Sequence, residues 1–177
     1  MAEDRISAAL ARLEVALRRH PGFGVSEESP AVARWQRGTK FTTHSPGGGQ
    51  ELVTDMPAQM GGDGEGVTPG WPLRAGLAAC VGTLIVFKAA AEGIELDSLE
   101  LTVGGRSDLR GLFAMPDDQG VTVSAAPTEV RLEVRIAARG VARDRLLALV
   151  EQANLCSPVS SALRHALPMK LSVEFQD

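Results

Sequence analysis

The chain has 177 residues, 44% of them hydrophobic and 23% charged, with a formal net charge of −4. That is the profile of one ordinary folded domain with room for a real core, and the negative balance works against binding to phosphate backbones or anionic lipid surfaces. Two cysteines are too few for a disulfide scaffold, so each thiol is either packing or chemistry.

Ile6, Leu10, Leu13 and Leu17 recur at helical spacing between acids and arginines, so the spacing predicts an amphipathic helix from Asp4 to Arg19, stopped near Pro21 and Gly22. Residues 1–22 are assigned to this N-terminal helix and residues 23–177 to a single domain. The start lacks the basic end, apolar run and small-residue cleavage site of a signal peptide, and the expected location is the cytoplasm.

Alternation from Ala31 to Phe41 around a turn at Arg37-Gly38 predicts a β-hairpin, and Ser45 to Gly49 would turn the chain into a third strand, Gln50 to Thr54. Gly61 to Pro69 is a glycine-rich acidic loop. It matches neither G-x-G-x-x-G nor G-x-x-x-x-G-K-[ST], and Asp63 and Glu65 would repel a phosphate, so nucleotide binding is not expected.

Pro69 and Pro72 suit the first turn of the next helix, which runs to Ala91 with Gly93 as its stop. Its apolar stretch, Ala75 to Phe87, is roughly 13 residues, short of the ~20 that cross a bilayer, and predicts a core helix. Leu96 to Arg106 and Thr128 to Ala137 alternate as two longer strands, and Leu146, Leu147, Val150 and Ala153 mark a further helix. Ser157 suits an N-cap with Pro158 at the first helical position, and Met169 to Phe175 alternates as a last strand. The expected class is α+β, with sheets wrapped around the central helix.

His20, His44 and His165 are scattered, with no H-x-x-x-H or C-x-x-C pair, so no metal site is expected. There is no G-x-S-x-G elbow, and Ser160-Ser161 have no nearby base in sequence, which argues against a serine hydrolase. Cys156 stands just before a helix N-terminus, whose partial positive charge favours a thiolate, and on that ground alone it outranks Cys80, which sits in the middle of the apolar helix.

The stretch TPGWPLRAGLAACVGTLIVFKAAAEGIELDSLELTVGG, followed much later by LLALVEQANLCSPVSSAL, resembles the OsmC/Ohr family of osmotically inducible and organic hydroperoxide resistance proteins. Carrying the resemblance are Ala78-Ala79-Cys80, the Gly93-Ile94 pair leading into a strand, and Pro158-Val159-Ser160. It implies an intertwined homodimer with paired central helices, and a thiol-dependent reduction of organic hydroperoxides by two cysteines. On that resemblance Cys80 is the attacking thiol, Cys156 its resolving partner and an external dithiol the reductant, with no metal or organic cofactor.

An ordinary thiol is mostly protonated near neutral pH and needs a cation to act as a nucleophile. The resemblance places that cation in the early hairpin, where Arg37 fits best and Arg34 less well. Trp71, Leu77 and Phe87 are expected to line an apolar substrate pocket. Two positions depart from the family pattern. Gly70 stands where the peroxidases carry a glutamate that pairs with the arginine, a role Glu65 could take only if its loop folds back. Ser157, not cysteine, directly precedes Pro158-Val159. These departures keep open an alternative, a non-catalytic binder of small apolar molecules on the same scaffold.

Overall fold

A computed structural model describes residues 2–165 and 167–175. The first helix, α1 (Ala2–Arg19), is the expected amphipathic one and packs along the central helix α2 (Trp71–Ala91). Between them lies a meander of three antiparallel strands in sequence order, β1 (Val32–Arg37), β2 (Lys40–His44) and β3 (Leu52–Thr54). After α2 come β4 (Ser98–Arg106) and β5 (Glu129–Ala137), paired antiparallel over their whole length, then α3 (Arg143–Cys156) and α4 (Pro158–Arg164).

The core forms on one stripe of α2. Leu77, Val81, Ile85 and Ala89 recur every fourth residue, one turn apart, and are buried with Leu149 and Ala153 of α3. Leu99, Leu101 and Val103 of β4 and Leu132, Val134 and Ile136 of β5 alternate onto the same cluster. By length and hydropathy α2 could cross a bilayer, yet it carries Arg74 and Lys88 and packs against α1, β4, α3 and α4, which makes it a core helix.

Two expectations about the sheets change. Among the described residues the β4–β5 ribbon is the sheet that covers α2, and the β1–β3 meander makes no extensive packing with any helix of its own chain. Residues 167–175 form no strand, and their alternating apolar side chains stand in solvent, with Met169 90% and Phe175 92% exposed. A strand requires a neighbour for its N–H and C=O groups, and among the described residues no strand of the same chain pairs with this segment.

Candidate functional site

Cys80 lies in the middle of α2, half-buried. Its sulfur is met by Ser157, which is fully buried and caps α4. The Ser157 hydroxyl donates to Cys80 Sγ at 3.1 Å and accepts the Ser160 backbone N–H at 3.2 Å. The serine cap and Pro158 in the first turn of α4 set this geometry: the cap fixes where the short helix starts, and the start fixes which side chain turns inward.

A polar chain continues behind it. The Ser160 hydroxyl donates to Asn154 Oδ1 at 2.6 Å, and Arg164 donates to Ser160 Oγ at 3.0 Å and to the Leu155 carbonyl at 3.3 Å. Sequence reasoning named Ser157 as a cap and Ser160 within the Pro158-Val159-Ser160 motif, but missed Asn154 and Arg164. Their signal was the i, i+4 spacing of Ser160 and Arg164 on a helix only seven residues long.

The predicted residues do not all gather at this sulfur. Cys156 is the last residue of α3, exposed, with its thiol free, while its neighbour Ser157 fills the position against Cys80. Arg37 is on the meander, where Nη1 donates to Asp63 at 2.9 Å and Nη2 to Glu65 at 3.0 Å. Arg34 is close to His44 instead, at 3.2 Å. Leu77 is buried one turn before Cys80. Trp71 and Phe87 lie sixteen residues apart on α2, about 24 Å at 1.5 Å per residue, and Phe87 faces a separate cleft with Ile6, Leu10 and Leu13 of α1. They cannot line one pocket within a single chain.

The loop after β3 does fold back. Asp55, 2% exposed, organises it. Its carboxylate accepts the Thr39 hydroxyl at 2.6 Å and the backbone N–H groups of Met56, Asp63 and Glu65 at 2.8, 3.0 and 3.2 Å. Gly62 and Gly66 permit the approach, since a Cβ at Gly62 would fall 1.8 Å from the Met56 carbonyl oxygen and one at Gly66 2.5 Å from that of Val53. Glu65 thereby reaches both Lys40, at 2.6 Å, and Arg37. Lys40 first, then Arg37, hold the Glu65 carboxyl below the usual carboxylate range.

The Thr39 hydroxyl, with help from the three backbone donors and against the cost of burial, lowers the pKa of Asp55 from 3.8 to about 2. A depressed carboxylate contributes stability that is complete above its unfolded pKa and is lost as pH falls through the folded one. Protection of the 55–66 loop against hydrogen exchange is therefore expected to hold above about pH 4 and to decline towards pH 2. Asp55→Ala, which removes the acceptor shared by four donors and leaves Met56 N–H only its 3.3 Å bond to the Thr39 hydroxyl, is expected to speed proteolysis of that loop at neutral pH by about tenfold or more.

Among the described residues no group of three or more His, Cys, Asp or Glu side chains is placed to hold a metal ion. The family model for OsmC-like protein matches residues 62–172, a span that holds Cys80, Ser157 and the whole polar chain behind them. The chain belongs to the OsmC-like protein family.

The OsmC-like fold extends beyond that span. The chain is similar in structure to an OsmC-like protein from Mycoplasma pneumoniae, with TM-score 0.65 and 17% identity over 80% of this chain and 91% of that one. An organic hydroperoxide resistance protein from Legionella pneumophila gives TM-score 0.54 and 23% identity over 78% and 92%. The organic hydroperoxide resistance protein OhrB of Bacillus subtilis gives 0.51 and 23% over 79% and 93%. At these identities the likeness is one of fold. No curated protein sequence matches the chain. Arg37 and the meander precede the part matched by the OsmC-like family model.

Proposed function

We propose that this protein is a cytoplasmic, homodimeric thiol peroxidase that reduces organic hydroperoxides at Cys80. The observation that carries the reading is the Ser157 hydroxyl aimed at a half-buried sulfur on a rigid helix, in a family whose fold is shared by hydroperoxide resistance proteins. The thiolate sulfur attacks the distal peroxide oxygen, the O–O bond breaks, and the alkoxide takes a proton and leaves as the alcohol, with Cys80 oxidised to a sulfenic acid. Ser157 supplies a donor to negative charge on the sulfur. An external dithiol then attacks the sulfenic sulfur, releasing water, and its second thiol expels Cys80 as the reduced thiol.

Several exposed apolar elements support the dimer. Trp35 and Phe41 on the meander and Leu171 and Phe175 on the C-terminal segment all face solvent in the single chain, and only 33% of the most apolar window of α2 is buried. Packing between two copies would cover these surfaces and bring the meander of one copy to the helix of the other. In this reading Arg37, with its Glu65 partner, activates the Cys80 of the other subunit.

Mixing subunits tests this arrangement. Cys80→Ser and Arg37→Gln homodimers are each expected to be inactive or nearly so, while co-expressed heterodimers regain about half of the wild-type sites, because one site then holds both Cys80 and Arg37. Heterodimers no more active than either parent would remove Arg37 from the partner's site. The second reading, a non-catalytic binder, is favoured by the lack of any cation hydrogen-bonded to Cys80 among the described residues of its own chain. It predicts no peroxide consumption by the wild-type protein with cumene hydroperoxide and dithiothreitol.

A further inference from the structure

Arg74 lies half-buried on α2, six residues before the cysteine, and no hydrogen bond or ion pair engages it among the described residues. Its guanidinium turns back over Gly70, where Nη1 would be 3.5 Å from a Cβ at that position, an ordinary van der Waals contact. There it lines a cavity of about 280 Å³ whose walls include Leu73, Leu77, Pro127, Val130 and Leu163. The cavity shares Leu77, Pro127, Glu129, Val130 and Leu163 with a wider cleft of about 600 Å³ that continues to Ser160 and Arg164.

A guanidinium presents five donors and remains charged at any physiological pH. Beside aliphatic walls and without a protein acceptor, it is matched by a planar anion that accepts two parallel hydrogen bonds. Glu129 is the acid on the lining of this cavity, and Arg106 and Arg131 flank its carboxylate at 3.7 and 3.5 Å, which leaves Arg74 for a ligand. Small-molecule sites commonly combine such an apolar trough with a few polar groups that set orientation.

We infer that this groove binds an apolar molecule carrying one carboxylate, with Arg74 gripping the carboxylate and the chain lying along Leu77, Val130 and Leu163. The inference goes beyond the peroxidase reading and does not require Cys80 to react.

Calorimetry of the full chain with octanoate and with 1-octanol tests it. Octanoate is expected to bind about tenfold more tightly or better, the typical gain of a charge-assisted hydrogen bond. Arg74→Gln is expected to abolish that preference while retaining the weaker binding of the alcohol, Arg74→Lys to keep part of it, and Ala125→Trp, which fills the trough, to weaken both ligands. Cys80→Ser is expected to bind octanoate like the wild type, so failure of the thiol chemistry and failure of this site are separate results. Equal affinity for the two probes, absence of binding, a preference that survives Arg74→Gln, or binding untouched by Ala125→Trp in a variant with wild-type circular dichroism would each overturn it.

Discussion

Cys80→Ser is expected to lower cumene hydroperoxide consumption with dithiothreitol by at least about a thousandfold, because the variant loses the nucleophile itself rather than a group that assists it. The change is nearly isosteric and the side chain is only half-buried, so the helical circular dichroism and the thermal midpoint should move little. The Ser157 hydroxyl, 3.1 Å from the sulfur, can make the same contact with a serine oxygen. Mass spectrometry after one equivalent of peroxide should find one added oxygen on Cys80 of the wild type, trapped by dimedone, and none on the variant. Turnover that persists in Cys80→Ser would place the chemistry elsewhere and end the peroxidase reading of this helix.

Ser157→Cys is expected to have the second large effect. A sulfur in place of the hydroxyl would face Cys80 Sγ from a fully buried position, and closing from the observed 3.1 Å to a bond of ~2.05 Å needs a shift that side-chain rotation can supply. Peroxide should then take two electrons from the pair and convert it to an internal disulfide within a single turnover, seen as a loss of two hydrogen atoms by mass and of both thiols by labelling. The oxidised protein would be reset by disulfide exchange instead of by direct attack on a sulfenic acid.

In the wild type, Cys156→Ser should leave turnover with dithiothreitol within about twofold, since that thiol is exposed at the end of α3 while Ser157 is the one at the sulfur. A Cys80–Cys156 disulfide formed at a rate matching turnover would instead restore Cys156 as the resolving thiol. The two variants thus separate a cycle resolved from outside from one resolved within the chain.

Much of the architecture is legible in the sequence. The hairpin, the two long strands, the central helix and its stop at Gly93, and the cap of α4 depend on neighbours a few residues apart: alternation on a strand, a turn glycine, a serine followed by proline. The tail shows where that reasoning fails. Met169 to Phe175 has a strand pattern, yet a strand exists only where another edge accepts it, and alternation does not say which chain supplies the edge.

What the sequence by itself determined is therefore local: an apolar helix long enough to be a core, a thiol at its middle, and a helix beginning at Ser157-Pro158. What only the tertiary structure decided is which groups meet across the fold. Ser157 rather than Cys156 reaches Cys80, 77 residues away, because adjacent side chains at a helix start point in different directions and only one points inward. Asp55 draws the glycine loop back until Glu65 meets Arg37, a contact set by four hydrogen bonds to a buried carboxylate. Arg74, which no motif marks, faces an apolar groove with its guanidinium over Gly70. Such contacts depend on how separate elements pack, and residue spacing along the chain carries no record of that.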